Sequence, residues 1–142
     1  MTTVGQILES KGRTVHQVGT DAMVLDALKL MAEANVGSVM VMDGETVAGI
    51  FTERQYARRV FLMGRAAPST PVREVMEPDV IFVTPQDTVD ECMALMSEKH
   101  IRHLPVMEGE RLVGMVSIGD LMKTVIDEHK FHLDELVKYV SR

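Results

Sequence analysis

The sequence predicts a mixed α/β fold: two tandem β-α-β-β-α half-modules, related by a pseudo-two-fold axis, sharing one core and followed by an extra C-terminal helix. Three observations carry this expectation. First, residues 18–56 lie over 83–121 at a constant offset of 65 without a gap, and ten of the 39 positions are identical, where chance gives about two or three. The identities include Val24/Val89, Met31/Met96, Val41/Val106, Gly44/Gly109 and Gly49/Gly114, and the lead-ins Val4, Ile7 and Leu8 are echoed by Val72, Val75 and Met76. Second, the hydrophobic period changes in the same order in each copy, from strand to helix to hairpin to helix. Third, 142 residues with 46% hydrophobic and 25% charged side chains can build one sizeable core. Neither half is long enough to cover its own sheet.

Each element has a local reason. The short apolar stretches Thr14–Val18 and Val80–Val83 read as strands. A helix then opens at Thr20 or Asp21 in the first copy, and at Thr88 in the second, where Glu91 three residues on completes a capping-box pattern. The apolar faces are Val24, Leu28 and Met31, and Val89, Met93 and Met96, at helical spacing. Strands Val39–Met42 and Val47–Phe51, and Leu104–Met107 and Leu112–Val116, flank Asp43-Gly44 and Glu108-Gly109, which supply hairpin chemistry. A second helix follows each hairpin, Glu53–Met63 stopped by Gly64, and Asp120 to about Glu128. Residues 64–71 form a polar linker ending in Thr70-Pro71, which reads as cap and first residue of a short helix. The predicted boundaries are therefore 4–63 and 72–128 for the two motifs, with 129–142 as a C-terminal helix whose apolar face is Leu133, Leu136, Val137 and Val140.

Composition excludes several function classes. The formal charge of −6 argues against a nucleic-acid duplex as partner, because phosphate affinity comes from clustered Lys and Arg. No apolar run reaches the ~20 residues of a membrane span, and the opening MTTVGQILESKG carries no signal-peptide core. One cysteine, Cys92, excludes an internal disulfide and suggests a reducing compartment. The expected setting is cytoplasmic. Twelve methionines read as ordinary, sheltered core residues rather than as a core built to rearrange.

The most informative strings are Gly49-Ile50-Phe51-Thr52-Glu53-Arg54-Gln55 and Gly114-Met115-Val116-Ser117-Ile118-Gly119-Asp120, preceded by Val36-Gly37-Ser38-Val39 and Ile101-Arg102-His103-Leu104-Pro105-Val106. Together these resemble the CBS domain, and from about Val4 to Lys123 the chain resembles a stand-alone bacterial CBS-domain pair, a Bateman module. The resemblance implies regulatory binding of an adenosine-containing ligand such as AMP, ADP, ATP, NAD or S-adenosylmethionine, without a catalytic cofactor, usually in a homodimer. With no effector domain in these residues, the output would be an unidentified effector protein.

The residue chemistry agrees with that implication. A hydroxyl followed three residues later by a carboxylate, at a strand-to-helix junction, suits a nucleotide: the carboxylate accepts from ribose hydroxyls, while the hydroxyl and helix-start N–H groups face phosphate. Carried over residue by residue, the resemblance gives two candidate sites. The first combines Ser117, Gly119 and Asp120 with Thr14, His16, Val36, Gly37 and Ser38. The second combines Thr52, Arg54 and Gln55 with Asp79, Ile81, Ile101, Arg102 and His103. Family members usually carry aspartate where this chain has Gln55, so the second site is expected to be the weaker.

Blander roles compete with these. Asp120 in a first helical turn is stabilised by the helix dipole whatever it binds. Arg54 and Arg58, four apart, would share a helix face suited to phosphate, with Arg59 and Arg65 nearby, although such runs are usually solvated. His100/His103 and His129/His132 lack the cysteine or acidic neighbours of a metal site, and Cys92 reads as a small core residue. No nucleophile with a base and no phosphate loop is present, so no enzyme is expected. The competing function is a ligand-independent dimerisation scaffold.

Overall fold

A computed structural model describes residues 1–140. It divides into two compact units that do not follow chain order: residues 15–80 form one, and residues 1–14 join those from Ile81 onward to form the other. We call them the first-repeat and second-repeat units. Each repeat's hairpin is therefore covered by the lead-in that precedes the other repeat in sequence.

The elements run as α1 (Val4–Lys11), β1 (Gln17–Gly19), α2 (Val24–Ala34), β2 (Ser38–Asp43), β3 (Thr46–Thr52) and α3 (Glu53–Gln55), then α4 (Val89–Lys99), β4 (His103–Glu108), β5 (Arg111–Ser117) and α5 (Ile118–Val140). In the first-repeat unit β1 pairs parallel with β2, which pairs antiparallel with β3. In the second, β4 and β5 form the antiparallel hairpin. The turn glycines Gly44 and Gly109 sit at φ 63° and 62°, as their acidic-Gly turns predict. Both hairpins slip register at the same place, after Val41 and after Val106, leaving Ala48 and Val113 as the extra bulge residues.

The buried residues form two clusters, each inside one unit. One contains Val24, Met31, Val39, Phe51 and Val60 with Val72 and Val75. The other contains Val89, Cys92, Met96, Leu104, Val116 and Leu121 with Val4, Ile7 and Leu8. The lead-ins supply the cover that each half lacks. Close approach is possible because the crossing point is glycine: a Cβ on Gly114 would lie 2.6 Å from Leu8 Cδ2, and one on Gly49 would lie 2.8 Å from the Glu77 carbonyl oxygen.

Several local expectations are corrected. The strand expected at Val80–Val83 shrinks to one parallel bridge, Val83 to Val106, because Pro85 has no N–H and the Thr84 N–H is taken by Asp87 at 2.7 Å. The strand expected at Thr14–Val18 shifts to β1, with His16 contributing only its carbonyl to Met40. Helix α2 opens at Met23, not at Thr20 or Asp21, because Gly19 to Ala22 closes a turn first; Asp26 then accepts from the Met23 N–H at 3.0 Å. Thr70 caps nothing: its hydroxyl donates back to the Ala66 carbonyl at 2.8 Å, and a single 3₁₀ turn, Val72–Glu74, follows Pro71. The helix after Thr52 is α-helical for one turn, then widens into a π-helix over Tyr56–Phe61, ending two residues before the expected Met63, with a turn through Gly64 at φ 70°. The two helices expected after Ser117 are one, since nothing between Glu128 and Phe131 breaks or caps. Residues 141 and 142 of the expected C-terminal helix lie outside the described residues. The Thr88–Glu91 cap forms, with the Glu91 N–H donating to Thr88 Oγ1 at 3.2 Å.

Gly49→Ala should destabilise more than Gly114→Ala, since a carbonyl yields less readily than a leucine methyl. Overpacking of this kind costs about 1–3 kcal/mol. Equilibrium urea unfolding of the two variants checks the order.

Candidate functional site

The two strand-to-helix junctions are built alike. In the second-repeat unit, β5 ends at Ser117, whose hydroxyl accepts from the Asp120 N–H at 3.2 Å, while the Asp120 carboxylate accepts from the Ser117 N–H at 2.8 Å. This reciprocal pair satisfies the first-turn donors of α5. Register places His103 directly across from Ser117, and the Ile118 N–H donates to the Arg102 carbonyl at 2.9 Å. In the first-repeat unit, Thr52 and Gln55 form the corresponding box: the Thr52 N–H and hydroxyl both donate to Gln55 Oε1, and the Arg54 N–H donates to Thr52 Oγ1 at 3.2 Å. Ser38 lies across from Thr52, and the Glu53 N–H donates to the Gly37 carbonyl at 3.2 Å.

Within each unit, strand register sets some of the candidate residues side by side. His103 and Arg102, assigned by sequence to the second site, stand beside Ser117 and Asp120 of the first. Gly37 and Ser38, assigned to the first, stand beside Thr52 and Gln55 of the second. Val36 and Ile101 are half-buried against their own cores, as is Ile81, while Thr14, Gly119 and Asp79 are exposed. His16 is half-buried beside β2.

The basic cluster changes meaning. Arg59 donates to the Met76 carbonyl at 2.8 Å and the Val75 carbonyl at 3.3 Å, and faces Glu77 at 3.6 Å. Arg65 pairs with Glu74 at 2.6 Å. Both hold the lead-in of the second repeat. Arg54 and Arg58 are both exposed, one in α3 and the other in the π-helical stretch that follows it. His100 closes α4 in the left-handed region at φ 56°, as Asn35 closes α2 at 54°. Cys92 is fully buried, and burial with Asp87 and Glu91 nearby pushes its thiol up to about 11, far from a reactive thiolate.

Sequence reasoning missed Lys11. Its Nζ lies 2.6 Å from Asp120 Oδ2 and 2.9 Å from the Met115 carbonyl oxygen. Burial alone would raise the Asp120 carboxyl, but the hydrogen bonds from Lys11 and Ser117 outweigh it and hold the group below its usual range. The same junction lowers His103, chiefly through burial, with Lys11 and Arg102 reinforcing and Asp120 opposing. An ionised carboxylate, an ammonium and a neutral imidazole therefore meet at the end of one hairpin. The available signal was Lys11's place one turn beyond Ile7 and Leu8 in a lead-in already seen to repeat.

A family model described as the CBS domain matches residues 4–61 and 72–127. The chain belongs to the CBS-domain family. It carries two CBS domains in tandem, and such pairs are commonly regulatory modules of signal transduction. Among curated proteins, this CBS pair is 38% identical to the mitochondrial CBS-domain protein CBSX3 of Arabidopsis thaliana, over 99% of this chain and 72% of that one. It is 34% identical to YhcV of Bacillus subtilis, over 75% and 76%. Among solved structures, a CBS-domain protein of Burkholderia ambifaria assigned to signal transduction matches at 51% identity and TM-score 0.87, over 89% of this chain and 95% of that one. ATU1752 of Agrobacterium tumefaciens matches at 36% and 0.83, over 87% and 98%. No helix among the described residues is long and apolar enough to cross a membrane.

The depressed His103 gives the CBS pair a pH dependence of defined sign. The unfolded chain takes up this proton near the ordinary value of 6.5, before the folded chain does. Stability from neutral His103 is therefore present above that pH and lost as pH falls below it. His103→Gln should flatten the fall in the urea midpoint between about pH 7.5 and 5.5 relative to wild type.

Proposed function

We propose that the protein is a regulatory CBS pair that binds an adenosine-containing ligand (AMP, ADP, ATP or NAD) at the Ser117–Asp120 junction, without consuming it, and passes its occupancy to an effector protein. The observation that carries this reading is Asp120: a partly buried carboxylate kept ionised at a helix start, three residues after a hydroxyl. Lys11 and the Ser117 N–H both donate to Oδ2. Oδ1 takes part in neither bond and suits a ribose hydroxyl. The neutral Gln55 presents no such charge, and its Oε1 already accepts from Thr52. A ligand-independent scaffold is the second reading, favoured by the fact that Ser117 and Asp120 also cap α5.

A second copy of the chain is proposed as the structural partner. Beyond Val125 every described residue of α5 is exposed. Met122, Ile126, His129, Leu133, Leu136 and Val140 recur at alternating intervals of four and three, the seam of a two-stranded coil. Leu133 is 62% and Val140 73% exposed, and an isolated helical extension of this kind is marginal in water without a covering partner. A 3.5-residue apolar seam can pack against its own copy, and an identical helix is the partner proposed.

Two outcomes are expected. Calorimetry with AMP, ATP and NAD should show Asp120→Ala losing about 2–4 kcal/mol of binding, roughly 30- to 1,000-fold, with the ligand recovered intact. Gln55→Ala should lose no more than about 0.5–1.5 kcal/mol, and Gln55→Asp should strengthen or create a second site. Equal losses for Asp120→Ala and Gln55→Ala, or a loss of stability alone, favour the scaffold. Light scattering should give a dimer of the 15.8 kDa chain, converted to monomer by Leu133→Glu with Leu136→Glu. A wild-type monomer excludes the helical seam.

A further inference from the structure

Lys11 occupies Oδ2, one of the two Asp120 carboxylate oxygens that a ribose diol could engage. Two donors already converge on Asp120 Oδ2, the Lys11 ammonium at 2.6 Å and the Ser117 N–H at 2.8 Å, so a diol that engages both carboxylate oxygens must displace one of them. The Ser117 N–H is fixed in the backbone. Lys11 is on a flexible four-carbon stem, and its side chain is 35% exposed. Nor is the ion pair needed to hold α1. That helix is fixed by buried Val4 and Leu8, by Val4 and Gly5 N–H bonds to the carbonyls of Asp87 and Pro85 at 2.8 and 2.9 Å, and by its own Thr3 cap.

The other repeat lacks this cation. Its lead-in is held by Arg59, which donates to the carbonyls of Val75 and Met76 and pairs with Glu77, while the capping position is the neutral Gln55. Aligning Val4, Ile7 and Leu8 with Val72, Val75 and Met76 puts Asp79 opposite Lys11. Of the two junction residues Asp120 and Gln55, the cation sits on the one that is charged.

We propose that Lys11 is the specificity-determining residue of the Asp120 junction, selecting phosphorylated over unphosphorylated adenosine by moving its ammonium from Asp120 Oδ2 to a ligand phosphate. The proposal rests on the adenosine reading above. A neutral diol that takes Oδ2 leaves an ammonium without its counter-ion. A nucleotide takes Oδ2 with its ribose and returns an anion to the ammonium, so the charge count of the junction is restored. Only one side chain moves, and the Met115 carbonyl, 2.9 Å from Nζ, is a second acceptor that keeps the stem near the junction.

The test is calorimetry of the full chain with adenosine, AMP and inorganic phosphate on wild type, Lys11→Met and Lys11→Arg, after circular dichroism shows that each variant is folded. Wild type should prefer AMP to adenosine by roughly tenfold or more, the worth of one charge-assisted bond. Lys11→Met should weaken AMP and leave or improve adenosine, bringing the ratio close to one, and Lys11→Arg should restore the preference. An unchanged ratio in Lys11→Met, or equal weakening of both ligands, overturns the proposal while leaving the adenosine site standing. Inorganic phosphate binding as tightly as AMP overturns it in favour of a plain anion site. Wild type binding neither AMP nor adenosine overturns the adenosine reading and this proposal together.

Discussion

A two-stranded hairpin cannot keep one face dry by itself, and the rest of this architecture follows from how that face is covered. In each unit the cover is the lead-in that precedes the other repeat in sequence, and it crosses the hairpin at a glycine. Leu8 crosses at Gly114, and Met76 and Glu77 cross at Gly49. The bulge that places Val113 or Ala48 out of register lies immediately before that glycine in both copies. A bulge sharpens the strand's twist, and the missing side chain lets the lead-in come within contact distance. The strand then ends at a hydroxyl residue whose N–H and side chain close the next helix. Packing, strand bending and the capped junction are thus one arrangement, stated twice in the chain.

Much of this was legible because it is local. Acidic-Gly turns between β-branched runs specify hairpins within a few residues, and Thr88 with Glu91 specifies a helix start within one turn. The fold class follows from such signals and from the repeat, whereas the family was legible only through the resemblance carried by the Gly49–Gln55 and Gly114–Asp120 strings. What could not be read depends on distant partners. Sequence order suggested that Val4, Ile7 and Leu8 belong with the first repeat, whereas their buried faces meet Leu104 and Val116. The strand expected at Val80–Val83 had the right composition but lost its ladder to Asp87 and Pro85. The π-helical turn after Gln55 leaves no pattern that distinguishes it from α-helix over six residues. Which candidate residues stand side by side depends on strand register, which sets His103 beside Ser117 and Ser38 beside Thr52.

The charge at the junctions has its own logic. Taking a carboxylate out of water raises the cost of its ionised form, and capping alone offers it one backbone donor. At Asp120 the deficit is met by Lys11, so the carboxylate stays ionised below its usual range in spite of burial. Gln55 itself is neutral, and its amide oxygen accepts from the Thr52 N–H and hydroxyl. A cation on the lead-in there would have nothing to neutralise. The exposed Asp79 at the matching position is consistent with that, as is the use of Arg59 to secure the lead-in by its backbone carbonyls.

Asp120 and Lys11 are therefore best understood as one unit, and that unit separates structural from recognition chemistry. Capping requires only an acceptor at the third helical position, which glutamine supplies at Gln55 with equivalent geometry. A charge adds nothing to that duty except a desolvation cost and the need for a counter-ion. Where the chain nevertheless keeps both the carboxylate and its ammonium, within 2.6 Å of each other at the rim of the junction, the surplus over capping is a paired anion and cation within reach of solvent. A pair of that kind is matched by a ligand that offers hydroxyl donors to the one and an anionic group to the other. The asymmetry between the repeats is thus a difference in what each junction can recognise, superimposed on a capping geometry that both retain.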